Sequence, residues 1–178
     1  MVLPLSTNCR NTKAIASRTA VVTDTKPAKI LKLDGPRVII KSYLDKNDFL
    51  KIFKKELNSL LSSGISPKDI VVLSRYRKEN SMLSGITEIC NLELKERDSV
   101  EIPRNNFLSY YTVQSFKGLE RNIIFYIDVD GFNSVLDRRL NYIAMSRARL
   151  HLYMFYKKSI EQEYLDATDK GSKNLLDF

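Results

Sequence analysis

The sequence predicts an α/β domain with a mostly parallel sheet covered by helices on both faces. Short β-branched runs alternate along the chain with amphipathic segments of helical spacing, which is typical of this class. The apolar run "IVVL" at 70–73 is continuous, as expected for a strand covered on both faces. At 178 residues, with 43% hydrophobic and 28% charged residues, the chain is long enough to bury a core.

The first half of the chain alternates helix, strand, helix and strand. Residues 11–22 have helical spacing after a polar start, and the β-branched run at 36–44 indicates a strand. The amphipathic segment 45–64 predicts a helix that begins at Asn47 or Asp48 and ends at Gly64. A turn then leads into a buried strand, "IVVLSR".

The second half is more varied. We expect a helix over 76–91, followed by a polar, irregular stretch over 92–106 that contains one short strand, "SVEIP". The remaining predicted elements, in order, are strands at 107–113 and 122–129, a helix at 134–149, a strand at 150–156 and a fraying end at 166–178. In such sheets ligands bind at the carboxyl ends of the strands, where the polar loops fall.

The net charge of +8 and the pI near 9.4 favour polyanionic partners, and nucleic acid is the leading candidate. Each lysine-rich face could equally be a solvated helix surface. No apolar run is long enough to span a membrane, and the amino terminus lacks a secretory pattern, so a cytoplasmic location is expected. The sequence predicts no disulfide framework and no metal site, because it has only two cysteines, Cys9 and Cys90, and one histidine, His151.

Neither G-x-x-x-x-G-K-[ST] nor G-x-G-x-x-G occurs in the sequence, so it has no evident phosphate loop. Arginines do stand at the ends of predicted elements: Arg10 precedes the first helix, Arg75 ends a strand, and Arg147 and Arg149 lie near the end of the last helix. An arginine fork can donate two charge-assisted hydrogen bonds to a phosphate. Each of them could also be an ordinary surface residue.

Four segments carry a family resemblance: "LSTNCRNT" (5–12), "IVVLSRYRKENSML" (70–83), "TVQSFKGLERNIIFYIDV" (112–129) and "LNYIAMSRARLHLYMF" (140–155). In this order they resemble motifs IV to VI in the second RecA-like domain of superfamily 1 helicases of the UvrD/Rep type. The resemblance implies the second domain of a P-loop NTPase, without the Walker A loop. It implies a RecA-like domain over 1–158 and a C-terminal helix or tail over 159–178.

The resemblance also implies a function for the parent protein. It would be an ATP-dependent DNA helicase, in which ATP and Mg²⁺ bind between this domain and an N-terminal RecA-like domain of the same parent. Because motif IV begins within a few residues of Met1, we interpret the chain as a C-terminal fragment. On its own it is expected to carry no bound cofactor and to be inactive.

The resemblance assigns these residues to the nucleotide: Arg10, Arg147, Gly118, Glu120, Lys117 and, more weakly, Arg149. Arg10 and Arg147 match arginine fingers directed at the γ-phosphate, which stabilise transition-state charge. Gly118 would allow close backbone approach, and Glu120 would address the ribose or polyphosphate. Lys117 could contact ligand or only neutralise its neighbouring glutamate.

A second group is assigned to single-stranded nucleic acid, with DNA expected because family members are mostly DNA-directed. Its residues are Thr112, Gln114, Ser115, Arg75 and Arg77. Hydroxyl, amide and guanidinium donors can bind a phosphate backbone without reading sequence. A solvated loop is an equally good interpretation of Arg77.

The sequence also departs from the family pattern. Cys9 replaces the tyrosine that stacks on adenine in many members, and Gln114 replaces a frequent histidine. About thirty residues separate the second motif from "KGLE", too few for the large inserted 2B domain, which places the chain with the compact branch. For Tyr142 we prefer a core position. A stand-alone single-strand binder and a protein-interaction domain remain alternative functions.

Overall fold

A computed structural model describes residues 7–8, 10–26, 29–30, 34–97 and 105–176. The helices are α1 (Lys13–Thr23), α2 (Lys46–Ser62), α3 (Val135–Met145) and α4 (Glu161–Leu176). The strands are β1 (Thr7–Asn8), β2 (Lys29–Ile30), β3 (Ile39–Tyr43), β4 (Ile70–Ser74), β5 (Glu88–Ile89), β6 (Leu92–Glu96), β7 (Phe107–Thr112), β8 (Arg121–Val129) and β9 (Ala148–Lys157). Cys9 and the short strand predicted at "SVEIP" fall outside the described residues.

Seven of these strands form one sheet in the order β3-β9-β8-β4-β7-β6-β5. Every neighbouring pair in it is parallel except β5 with β6, which is an antiparallel hairpin. The predicted fold class, a mostly parallel α/β sheet, is therefore confirmed. Strands β1 and β2 pair separately.

Helices cover both faces of the sheet, and each face has its own core. Successive residues of a strand point to opposite faces, so the central strand β4 sends Val71 and Leu73 to one core and Ile70 and Val72 to the other. The first core is completed by side chains of α1 and α3, and the second by side chains of α2. This two-sided burial explains the continuous apolar strands of the sequence.

The helix predicted over 76–91 is wrong. The structure has a 3₁₀ turn at Lys78–Asn80, further turns, and strand β5. Side chains capture the backbone amides that a helix would need: the carboxylate of Asp128 accepts from Met82 N at 3.0 Å, and the hydroxyl of Ser81 accepts from Leu83 N at 3.0 Å. The pattern of the segment is helical, but the amide of Met82 bonds to a side chain of strand β8, 46 residues away in sequence.

Two predicted helix boundaries also need correction. The side chain of Asp45 accepts from Asp48 N and caps α2, so the helix does not begin at Asn47 or Asp48. Helix α3 ends at Met145, which places Arg149 within strand β9 instead of near a helix end.

The predicted fraying end is a helix, α4, through residue 176. It packs closely on α1, since a Cβ built at Gly171 would lie 2.0 Å from the carbonyl oxygen of Val21. Only glycine fits at that contact. Strand β6 lies in the stretch predicted to be irregular, and the sequence pattern did not reveal it.

Candidate functional site at the amino end of the sheet

The connection between β7 and β8 decides where the candidate residues lie. Both strands run parallel to β4, which lies between them, so the connection must return from the carboxyl end of the sheet to its amino end. Val113 and Phe116 are buried in the first core and fix this crossing segment to the face of the sheet. Thr112 and Glu120 therefore lie at opposite ends of the sheet, although the sequence presents them as one motif.

Three candidate residues gather at the amino ends of β8 and β9. The guanidinium of Arg10 forms an ion pair with the carboxylate of Glu120, and their side chains are 47% and 30% exposed. The guanidinium of Arg147 interacts electrostatically with both of them. We call Arg10, Glu120 and Arg147 the amino-end cluster. The general expectation of ligands at carboxyl ends therefore does not describe these nucleotide candidates.

Arg147 is held by the end of helix α3. Its backbone amide donates to the Ala144 carbonyl at 3.2 Å, and its Nε donates to the Ile143 carbonyl at 3.3 Å. Partial burial lowers the pKa of Arg147, and the neighbouring guanidinium of Arg10 lowers it further, while Glu120 opposes this. An arginine in the field of a second guanidinium is suited to receive an anion, because the anion relieves the repulsion between the two positive charges.

Asn11 connects these segments, and sequence reasoning did not single it out. Its side chain is buried, and its Nδ2 donates to the carbonyls of Ser146, at 3.0 Å, and Ala148. Thr12 N donates to the Arg149 carbonyl at 3.2 Å. The one sequence feature that could have indicated Asn11 is its position directly after Arg10.

The remaining nucleotide candidates surround the cluster less closely. Gly118 has a φ of +89°, a left-handed conformation that favours glycine, and the space where a Cβ would stand is open. Lys117 and Arg149 are exposed. The backbone carbonyl of Arg149 accepts the hydrogen bond from Thr12 N, which attaches residues 10–12 to strand β9.

Thr112 and Ser115 bind each other at the carboxyl end. The Thr112 hydroxyl donates to Ser115 Oγ at 2.9 Å, and the Ser115 hydroxyl donates to the Thr112 carbonyl at 3.1 Å. The Ser115 amide also donates to Thr112 Oγ1. Both hydroxyl protons are thus engaged in shaping the turn, whereas Gln114 between them is exposed.

Arg75 belongs to a separate group of charges at the carboxyl end. Its Nη1 lies 3.3 Å from a carboxylate oxygen of Asp130 and 3.2 Å from one of Asp137, and its side chain is 18% exposed. The hydroxyl of Tyr76 also donates to Asp130. Arg77 is exposed beside them.

Asp128 is the buried centre of this group. Its carboxylate accepts from Ser74 Oγ at 2.6 Å and from Met82 N at 3.0 Å, and its backbone has the unusual φ of +56°. Burial raises the pKa of Asp128, and these two hydrogen bonds oppose the rise. We call Arg75, Asp128, Asp130 and Asp137, with Ser74 and Tyr76, the carboxyl-end network.

Tyr142 is not a core residue, contrary to the preferred interpretation of the sequence. Its side chain is 47% exposed on α3, and it interacts electrostatically with Arg147. The residues of α3 that are buried include Leu140 and Ala144. In the described part of the chain no group of three or more His, Cys, Asp or Glu side chains could hold a metal ion, and no helix there is long and apolar enough to cross a membrane.

Comparisons with known proteins agree with this architecture. Residues 108–155, which contain the crossing segment and α3, match the family described as UvrD-like helicase C-terminal domain. The fold is similar to a crystal structure described as the C-terminal domain of a possible DNA helicase from Lactobacillus plantarum WCFS1, with a TM-score of 0.64 and 14% sequence identity, covering 85% of this chain and 88% of that chain. No curated protein matches in sequence. The resemblance drawn from the motifs is confirmed to this extent: residues 108–155 match the UvrD-like helicase C-terminal domain family, and the α/β fold is similar to that of a helicase C-terminal domain.

Proposed function

We propose that this domain is the C-terminal motor domain of a cytoplasmic ATP-dependent DNA helicase. Its role is to present Arg10 and Arg147 to a nucleotide bound against the N-terminal RecA-like domain of the same parent. The observation that carries the proposal is the convergence of Arg10, Glu120 and Arg147 from three distant segments of the chain. An ion pair this exposed contributes only about 0–1 kcal/mol to folding, so stability does not account for the convergence.

The donor set fits the polyphosphate of ATP. Two guanidinium groups and one carboxylate leave the amino-end cluster net positive, and arginine forks match phosphate oxygens in geometry. Glu120 can accept a hydrogen bond from a ribose hydroxyl once Arg10 turns to phosphate. Bound ATP with Mg²⁺ supplies the phosphoanhydride whose cleavage drives the parent. Arg10 and Arg147 bind the terminal phosphate and bias the two domains toward closure.

Single-stranded DNA is proposed to cross the opposite, carboxyl end. Gln114 and Arg77 are exposed there, and the turn formed by Thr112 and Ser115 holds Gln114 outward. The net charge of +8 supports a polyanionic partner. Nucleotide and nucleic acid would thus occupy opposite ends of one crossing segment, so a shift of that segment would couple them.

ATP titration into the chain, followed by NMR of the arginine Nε–Hε groups, tests the nucleotide site. Half of a two-domain site is expected to bind only in the range of about 1 mM and to show no Mg²⁺-dependent turnover. Arg10→Met and Arg147→Met should abolish the shifts. Arg138→Met, at the other end of α3, is the matched control. The proposal fails if millimolar ATP leaves both arginine signals unmoved, or if the chain hydrolyses ATP in a manner that depends on Arg147.

A stand-alone single-strand binder is the second candidate, supported by the basic composition. Oligonucleotide binding followed by fluorescence anisotropy distinguishes the two. Tight, strongly salt-dependent binding that is indifferent to Arg10→Met, to Arg147→Met and to ATP would favour the stand-alone binder.

A further inference from the structure

Arg10 and Arg147 come from opposite ends of the chain, and their mutual position depends on the segment that follows α3. The backbone carbonyls of residues 146–149 accept four hydrogen bonds in succession. The donors come from the segment that carries Arg10 and from the start of strand β8. Arg121 N, next to Glu120, donates to the Arg147 carbonyl at 3.1 Å, while residues 11 and 12 serve the other three carbonyls.

Asn11 makes two of these four bonds with one side chain. Its Nδ2 donates to the carbonyls of Ser146 and Ala148, which are the residues on either side of Arg147. Asn11 is itself the residue after Arg10, and as a residue it is only 5% exposed. A single amide group thus joins the backbone of one arginine to the backbone on both sides of the other.

Few side chains could replace this amide. Two donors on one short side chain are supplied by asparagine; a serine or threonine hydroxyl has one donor, and an ionised aspartate has none. Leucine has nearly the shape of asparagine but would leave two buried carbonyls without their donor. The chemistry of the position therefore matches the geometry of the two carbonyls.

We propose that Asn11 is a positioning residue that sets the spacing between Arg10 and Arg147. The inference rests on the proposed nucleotide function and names the residue that prepares its site. Two guanidinium groups bind one phosphate group cooperatively only when their spacing fits its oxygens, and a displacement of about 1 Å can cost much of that binding. Asn11 acts through the arginines and does not itself touch the ligand.

The experiment uses Asn11→Leu, which removes both donors at nearly constant volume and unchanged charge. The matched control is Thr19→Val, an isosteric change at another buried polar residue of the same region. Within the described residues the Thr19 hydroxyl has no hydrogen-bond partner, so its loss should leave the arginines in place. Urea unfolding establishes that each variant is folded under the conditions of measurement.

Two measurements are made on the whole chain. Tripolyphosphate, which has no base or ribose, is titrated to measure binding by the arginines alone. The Nε–Hε signals of Arg10 and Arg147 are recorded without ligand and assigned with Arg10→Lys and Arg147→Lys. We expect Asn11→Leu to weaken tripolyphosphate binding about tenfold, the scale of one lost charge-assisted hydrogen bond, and to move both arginine signals. Thr19→Val should change neither.

The outcomes separate this inference from the proposed function. If Asn11→Leu is folded, binds tripolyphosphate as tightly as the wild type and leaves both arginine signals unmoved, Asn11 is only a stabiliser of the fold and the inference is overturned. If the wild type binds no tripolyphosphate, the proposed nucleotide function fails, and the ligand-free arginine signals alone decide the role of Asn11. If Asn11→Leu does not fold, Asn11→Ser takes its place. Its smaller side chain keeps one donor and should give intermediate changes in both measurements.

Discussion

The two ends of the sheet contain similar charges in different circumstances. At the amino end, Arg10 and Glu120 form an ion pair whose members are substantially exposed, and Arg147 interacts electrostatically with both. At the carboxyl end, Arg75 lies between two carboxylates with little exposure, and Asp128 is buried with two hydrogen-bond donors. The first group is open to a ligand, whereas the second is largely satisfied by the protein itself.

This difference separates a group of charges that is open to a ligand from a group that mainly stabilises the fold. Exposed ion pairs stabilise a protein little, and their donors remain accessible. Buried, fully hydrogen-bonded carboxylates fix loops in place and are costly to disturb. The family resemblance predicts that Arg75 contacts nucleic acid. In the structure its ion pairs with Asp130 and Asp137 give it a structural role. Its nucleic-acid role stays a prediction.

The largest expected effect is at the buried centre of the carboxyl-end network. Asp128→Ala should lower the free energy of unfolding by about 2–4 kcal/mol. It removes the acceptor of the Ser74 hydroxyl and of Met82 N, and it places alanine at a φ of +56°. Urea unfolding measures the loss. Asp130→Ala, at an exposed carboxylate of the same network, is the control and should cost less. Equal losses would show that burial does not distinguish the two carboxylates.

A pair of arginine variants tests the comparison directly. Arg75→Met should lower the free energy of unfolding by about 1–3 kcal/mol, because Asp130 and Asp137 lose their shared cation. Its tripolyphosphate binding should remain. Arg147→Met should do the reverse, with a stability change below about 1 kcal/mol and loss of binding. Unfolding and tripolyphosphate titration are run on both proteins. Exchanged results would contradict the assignment of roles to the two ends.

The sequence predicted the central strands β4, β7, β8 and β9 because they are largely buried on both faces, and such strands appear as uninterrupted apolar runs, whereas it missed β5 and β6 at one end of the sheet. The same use of local sequence patterns failed over 76–91. There the amide of Met82 donates to the carboxylate of Asp128, a residue of strand β8 that is distant in sequence. These patterns also failed to place Tyr142, since helical spacing does not say which flank of α3 faces the core. Contacts between distant segments leave little local signal.

The candidate site shows the same division. Arg10, Glu120 and Arg147 could be predicted because each stands in a segment that resembles a family motif, and the structure brings them together. Asn11 could not be named, because its significance depends on two carbonyls that are 135 and 137 residues away in sequence. The sequence also did not reveal that Thr112 and Glu120 lie at opposite ends of the sheet. Only the strand order shows that the connection between them crosses the sheet.

The smallest expected effect is a pH dependence that arises at the carboxyl end alone. Burial raises the pKa of Asp128 in the folded protein above its ordinary value of 3.8 in the unfolded chain. At pH values between these two pKa values, the folded protein binds a proton that the unfolded chain has lost. Stability from this group therefore increases as the pH falls through the raised pKa, and it is lost as the pH rises again. The wild type should gain stability relative to Asp128→Asn on acidification, measured by urea unfolding at several pH values.

Glu120→Gln provides the comparison at the other end of the sheet. Because its carboxylate is partly exposed and paired with Arg10, removing its charge should change stability by less than about 1 kcal/mol at neutral pH. It should not reproduce the acid-side gain that distinguishes the wild type from Asp128→Asn. If instead the wild type loses stability relative to Asp128→Asn as the pH falls, the hydrogen bonds from Ser74 and Met82 outweigh burial. The carboxylate at the centre of the network would then be held in its charged form, and the carboxyl end would resemble the amino end in depending on ionised groups.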